Sequence, residues 1–368
     1  MPSKGFPLTE RDLLPLSLGA ALLGTGGGGN PYIGMLRTRE LMRRGASVEV
    51  LPLPALPDDA YVGSVGGIGA PVVGVEKIKE GAECLRALRA VEEAAGVRVA
   101  ALISQEIGGA NAMEPISTAA RAGLPVLDGD GMGRAFPEVQ MSTYFIYGLK
   151  PSPSAIADDK GNVIVFKDMV DMYWLERFAR HAAVDMGAGA GFATTPMAAP
   201  FVRRVAVPGT VTQALTIGRA ILDARARRLD VVGRLIASTG ASLLFTGKVT
   251  DVRRELKGGF AVGEAILAGF GDHAGATGRI AIQNENLVLW VDDAPVAVVP
   301  DLIMNVEIDT GEPITTEVLR YGQRLAVLGL PAHELMRTKA ALEVVGPKAF
   351  GYLDLIYRPL AYAGALRA

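Results

Sequence analysis

Val97-Arg98-Val99-Ala100-Ala101-Leu102-Ile103-Ser104, closed by Gln105-Glu106-Ile107-Gly108-Gly109-Ala110-Asn111, is the stretch that decides the fold. It is apolar almost without interruption, the pattern of a strand covered on both faces rather than one with a wet side. Its neighbours agree with that reading. An amphipathic helix is expected over Glu76–Ala95, with Ile78, Leu85, Leu88 and Val91 roughly on one face. A helix from Glu114 to Ala122 follows, then a second buried strand, Leu124–Leu127, ending in Asp128-Gly129-Asp130-Gly131-Met132-Gly133-Arg134. Further upstream, Ser47–Leu53 is a strand stopped by Pro52, Pro54 and Pro57, and Tyr61–Val65 is another, running into Gly66-Gly67-Ile68-Gly69-Ala70-Pro71. Alternating strands and helices predict an α/β domain with a mostly parallel sheet. Ligands of such sheets lie beyond the C-terminal strand ends. Gly66–Gly69, Glu106–Asn111 and Asp128–Arg134 meet that rule.

At the N-terminal side, Glu10–Leu23 reads as a buried helix, with Thr9 and Asp12 at capping-box spacing. The run Gly24-Thr25-Gly26-Gly27-Gly28-Gly29-Asn30 comes next, and Asn30 as cap with Pro31 opens a helix over Tyr32–Arg44. A glycine loop before a helix N-terminus is either a cradle for an anionic or strongly polar ligand or a tight packing turn. It follows a helix and lacks Gly-Lys-Ser/Thr, so it is neither a dinucleotide fingerprint nor a phosphate-binding loop, and a nucleotide-binding enzyme is the weakest of the functional readings.

Beyond this region, Tyr144–Tyr147 and Val163–Phe166 are expected as strands joined through Asp158–Asn162, and a helix is expected over Met169–Val184. A boundary near Asp168 divides the chain into residues 1–168 and 169–368. Gly187–Gly191 is a further glycine-rich patch, and Thr210–Ala226 a helix capped by Thr210. From Leu243 the period changes to short β stretches: Leu243–Val249, Gly263–Phe270, Gly278–Gln283, Leu287–Val291, Ala297–Asn305 and Arg324–Gly329. They predict a β-rich C-terminal domain, a sandwich or barrel-like layer, closed by a helix over Ala332–Leu342.

A length of 368 residues suits two domains. The 37 basic residues are matched by 39 acidic ones, which argues against a nucleic-acid surface. No apolar stretch reaches the roughly 20 residues of a membrane span. Cys84 is the only cysteine, so no disulfide forms within the chain and a cytoplasmic setting is expected. Within its helix Cys84 reads as a small buried residue.

Several long motifs occur together: Gly24–Tyr32, Glu106–Asn111, Asp128–Pro137, Gln283-Asn284-Glu285-Asn286-Leu287, Val299-Pro300-Asp301-Leu302-Ile303, and Gly346-Pro347 with Phe350-Gly351-Tyr352. In these the chain resembles the DUF917 family over nearly its whole length. Asn30 stands where that family often carries Asp. The resemblance implies two domains and S-methyl thiohydantoin desulfurase activity, the hydrolysis of a ring C–S bond to give a hydantoin and a thiol. Related modules are fused to hydantoinase/oxoprolinase-type enzymes, so a non-catalytic ligand-binding or regulatory subunit of such an enzyme is the alternative, with a homo-oligomer or a hydantoinase-type chain as partner.

Such hydrolysis needs an activated water, a donor to the ring and a protonated leaving group. Glu106, Asp128 and Asp130 each follow a buried strand, where a carboxylate is seldom without a partner. They are the candidate acid/base residues. Asp128 and Asp130 are two apart and face one side of an extended chain, a pattern that suits a divalent cation or a shared proton as well as an Asp-Gly turn. His273, in Gly271-Asp272-His273-Ala274-Gly275, is the one of three histidines placed to act as a base or ligand. Thr25, Gly26, Gly27, Gly28, Gly29, Asn30, Gly67, Asn111 and Arg134 are the candidate substrate-binding residues. Arg134 offers a carboxylate clamp or a structural ion pair. Glu285 and Asp301 either close the cleft from the β domain or satisfy turns.

Overall fold

The apolar run around Leu102 takes its expected place at the middle of a sheet. A computed structural model describes residues 4–69, 79–257 and 260–362. The first sheet contains β1 (Phe6–Leu8), β2 (Val48–Leu51), β3 (Tyr61–Gly69), β4 (Ala101–Ser104), β5 (Val126–Asp130), β6 (Ser154–Ala157), β7 (Val163–Phe166) and β8 (Gly189–Ala193). Their order is β1-β2-β5-β4-β3-β8-β6-β7. The pairs β2–β5, β5–β4 and β4–β3 are parallel, and the flanking pairs are antiparallel. All four residues of β4 are buried, as a strand covered on both faces requires. Two short strands, β9 (Met197–Ala198) and β10 (Val207–Pro208), pair with β3 and β5. The chain after Asp168 therefore returns to the first sheet before it enters the second.

The second sheet is antiparallel and seven-stranded: β11 (Ser242–Lys257), β12 (Phe260–Gly269), β13 (Thr277–Gln283), β14 (Glu285–Val291), β15 (Ala294–Val298), β16 (Leu302–Glu307) and β17 (Arg324–Leu330). Its order is β15-β14-β13-β12-β11-β17-β16, a curled, barrel-like layer around Phe245, Leu267, Ile280, Leu289 and Val327. The architecture is thus an α/β N-terminal domain, with a parallel-centred sheet, joined to a β-rich C-terminal domain. The two halves meet through buried helices. Helix Glu10–Leu23 lies on helix Thr210–Arg227 so closely that a Cβ on Gly19 would come within 1.8 Å of the Ala214 carbonyl, and one on Gly218 within 1.8 Å of that of Pro15.

Several expected elements differ. Tyr144–Tyr147 is not a strand: Thr143–Ile146 is a short helix, and the partner of β7 is β6, reached through the expected Asp158–Asn162 turn. Gly66–Gly69 and most of Gly187–Gly191 are not loops, because they pair with each other as the ends of β3 and β8. The segment Ala297–Asn305 is divided by a turn at Pro300-Asp301 into β15 and β16. The cap of helix Thr210–Arg227 is Gly209, with Thr210 already helical. The closing segment is a short turn of helix at Glu334–Met336 followed by helix Lys339–Val345. Ala70, Pro71 and the expected helix start at Glu76 lie outside the described residues. The helix itself runs Glu83–Ala95, which puts Cys84 in its first turn. No helix among the described residues is long and apolar enough to cross a membrane.

Candidate functional site

The strand-end rule leads to one cleft of about 330 Å³. Its lining combines glycine backbone, at Gly28 and Gly29 of the glycine loop and Gly66 and Gly67 of β3, with polar and aromatic side chains such as Glu106, Asn111 and Phe136. Ala110 N–H donates to the carbonyls of Gly28 (2.9 Å) and Gly29 (3.1 Å), so the glycine loop rests directly on the turn that follows β4. Where glycines line the cleft, the missing side chains leave room for a flat, polar ligand to reach the peptide groups.

Glu106 is one of the carboxylates that line the cleft. It is 5% exposed; Oε1 accepts from Asn111 Nδ2 at 2.6 Å and Oε2 from Phe136 N at 3.0 Å. Burial pushes it up to about 7, against the pull of those two donors, and the neighbouring Asp130 adds to the rise. A carboxylate so tuned exchanges a proton near neutral pH. Asn111 is held in turn: its Oδ1 accepts from Gly67 N–H at 2.7 Å.

Further residues in the cleft come from distant parts of the chain. Glu285, at the start of β14, reaches over from the β domain; its Oε1 accepts from Gly28 N–H at 3.2 Å. At the far wall Arg37 and Lys79 both bind Glu114 Oε1, at 2.9 and 3.0 Å. Burial alone would raise Glu114, yet these two cations hold it down to about 2. The Cys84 thiol beside it donates to the Gly66 carbonyl at 3.3 Å, and burial together with the Glu114 charge pushes its pKa far up. Arg37, Lys79 and Glu114 carry no loop or strand-end signature in the sequence and were not anticipated. Glu285 was anticipated only as a residue closing the cleft or satisfying a turn. Its signal was a glutamate between two asparagines in a β-rich region.

Of the expected site residues, Glu106, Gly28, Gly29, Asn30, Gly67 and Asn111 line the cleft. Thr25, Gly26 and Gly27 turn instead toward the β domain. The Thr25 carbonyl accepts from Asn286 N at 2.8 Å, and that of Gly26 from Thr316 N at 2.7 Å. Arg134 is fully buried between the domains. It donates to Thr25 Oγ1 (2.6 Å) and to the carbonyls of Asp301 (2.7 Å), Pro300 (3.2 Å), Asn286 (3.2 Å) and Ala135 (2.9 Å), and so ties the glycine loop to the β domain. Asp128 caps helix Thr210–Arg227, accepting from Thr212 N at 3.1 Å and Thr212 Oγ1 at 2.5 Å. Asp130 Oδ2 accepts from Ile107 N (2.8 Å), Met132 N (3.0 Å) and Gly133 N (2.8 Å). His273 sits in a half-buried turn of the second sheet, its Nδ1 3.1 Å from Thr246 Oγ1. Asp128, Asp130 and His273 thus have separate partners. Among the described residues no group of three His, Cys, Asp or Glu side chains is arranged to hold a metal ion. Asp301, the other β-domain acid, accepts from Tyr357 Oη at 2.6 Å and from two backbone N–H groups, of Ala332 (2.8 Å) and Leu360 (2.6 Å).

Comparison with known proteins agrees with the two-part architecture. No curated protein matches the chain. A crystal structure of a protein from Chromobacterium violaceum superposes with a TM-score of 0.81 at 24% identity, covering 97% of this chain and 100% of that one, a likeness of fold. Residues 11–168 match the model of the S-Me-THD-like N-terminal domain and residues 170–360 that of the S-Me-THD-like C-terminal domain. With both domains present in order, the chain belongs to the S-Me-THD-like family.

Proposed function

We propose that the protein is a small-molecule hydrolase that removes the sulfur substituent from an S-methyl thiohydantoin or a closely related ring. The observation that carries this reading is Glu106. It is a buried carboxylate tuned to about 7, fixed by Asn111, in a cleft that also presents glycine backbone at Gly28, Gly29, Gly66 and Gly67. A hydantoin-type ring is planar, with alternating N–H and C=O edges, and the peptide groups at those glycines match such edges. In the reaction, ionised Glu106 takes a proton from water as the water oxygen bonds to the ring carbon that bears sulfur and the C=N π pair moves onto the ring nitrogen. The tetrahedral centre then collapses, the new hydroxyl becoming the ring carbonyl while its proton ends on that nitrogen. The C–S electron pair leaves with sulfur, which receives the proton that Glu106 took, and hydantoin and methanethiol result.

The test is incubation of the pure protein with an S-methylated thiohydantoin in oxygen-18-labelled water. Methanethiol and hydantoin in equal amounts, with the label in the new ring carbonyl, are expected. Binding of hydantoin with no turnover would transfer the cleft to a ligand-binding subunit and end the hydrolase reading.

A further inference from the structure

The glycine run has a second neighbour besides the cleft. An ideal Cβ on Gly27 would fall 2.0 Å from Glu285 Oε1, 2.4 Å from its Cδ and 2.6 Å from its Cγ. The space beside residue 27 is therefore occupied by the Glu285 carboxyl group. That group is held from both sides along the chain. Asn284 donates its backbone N–H to the Ala261 carbonyl at 2.8 Å and accepts from Ala261 N through Oδ1 at 2.9 Å. Asn286 bonds Thr25 through its N–H at 2.8 Å and Arg134 through its carbonyl at 3.2 Å. The carboxyl group itself uses one oxygen only. Oε1 takes the Gly28 N–H, while Oε2 is buried and has no hydrogen-bond partner among the described residues, in a side chain 2% exposed that lines the cleft. A buried carboxyl oxygen without a donor is costly as an anion and suits an O–H that awaits an acceptor.

We propose that Glu285 is a second catalytic residue of this cleft: its Oε2 carries a proton to the ring nitrogen beside the attacked carbon and takes one back from the new hydroxyl. This rests on the hydrolase reading above. The proton count closes. Water gives one proton to Glu106, and Glu285 gives one to the nitrogen as the C=N π pair moves onto it. On collapse the hydroxyl proton returns to Glu285 and the Glu106 proton leaves on methanethiol. Burial, and the charge of Glu106 nearby, raise Glu285 well above the usual carboxyl range, in keeping with a neutral acid at neutral pH.

Two variants and two readouts test it. Glu285→Gln is expected to lower kcat about 10²–10³-fold and to remove the alkaline limb of the pH profile, with hydantoin still bound. Gly27→Ala, which leaves the acid in place but pushes it aside, is expected to lower kcat in the same direction. Unchanged kcat and alkaline limb in Glu285→Gln, with the wild type active, overturn the proposal and leave the hydrolase reading standing. Infrared difference spectra at neutral pH between the wild type and Glu285→Gln supply the readout that needs no turnover. A protonated-carboxyl band lost in Glu285→Gln is expected. A band unaffected by that substitution overturns the proposal even if the wild type proves inactive.

Discussion

Glu106 and Asp130 close neighbouring strands, β4 and β5, and by burial alone they are twins. Both are buried, and burial pushes both up to about 7. Their surroundings differ. Asp130 Oδ2 is wrapped by three backbone N–H groups, which shape the turn at Gly131–Gly133 and fix Ile107, and it does not line the cleft. Glu106 is held by one side-chain amide and one backbone N–H, and it does line the cleft. A perturbed carboxylate is therefore not a site by itself. Access to the cleft separates the two: Glu106 lines it, and Asp130 holds the turn that follows β5.

The comparison breaks most visibly in stability. Asp130→Ala leaves three N–H groups without an acceptor, those of Ile107 and Met132 buried and that of Gly133 half-buried, at about 1–3 kcal/mol for each buried one. Urea unfolding should show a loss on the order of 3 kcal/mol or more. An intact midpoint would mean that the turn is not built on Asp130. Glu106→Gln should do the reverse. Its fold should be retained and its turnover fall about 10²–10⁴-fold, measured as methanethiol release. Arg134→Met lies between the two. It strips donors from four carbonyls and from Thr25 Oγ1, at about 3 kcal/mol, and loosens the glycine loop. Hydrogen exchange should rise at Thr25–Gly28 and Asn286, and protection as in the wild type would remove its role as a clamp.

The pH dependence of stability probes the same pair together. Glu106 and Asp130 bind their protons more tightly in the folded than in the unfolded protein, so between the unfolded values and about 7 the folded state holds more protons. Stability should fall as pH rises across that window, by about 1.4 kcal/mol per pH unit for each group. Glu106→Gln and Asp130→Asn should each flatten the slope. A bound hydantoin should alter the Glu106 share alone, and a ligand that altered both would erase the distinction.

The sequence carried this contrast only halfway. The apolar run before Gln105 and the Asp-Gly segment after Leu127 located both strand ends, because a twice-covered strand leaves a plain hydrophobic record. Which acid faces the cleft depends on what packs against each strand end, and β periodicity holds no record of that. The glycine patches show the same limit. Gly191 sits in β8, not in a loop, since a Cβ there would lie 2.4 Å from Cys84 N; glycine admits the helix to the strand. Ser154–Ala157 was missed as a strand because its small residues have weak β propensity. Glu285, Arg37, Lys79 and Glu114 reach the cleft through tertiary packing alone. The glycine loop is divided between two neighbours: Gly28 and Gly29 line the cleft, whereas Thr25 and Gly26 bond the β domain.

The most direct test of the account is the pH profile of kcat/KM for methanethiol release by the wild type, Glu106→Gln and Asp130→Asn. The wild type should show an acid limb with its midpoint near 7, set by ionisation of Glu106. That limb should vanish with Glu106→Gln and persist in Asp130→Asn. An acid limb that survives Glu106→Gln, or that disappears with Asp130→Asn, would contradict the assignment of the chemistry to the cleft.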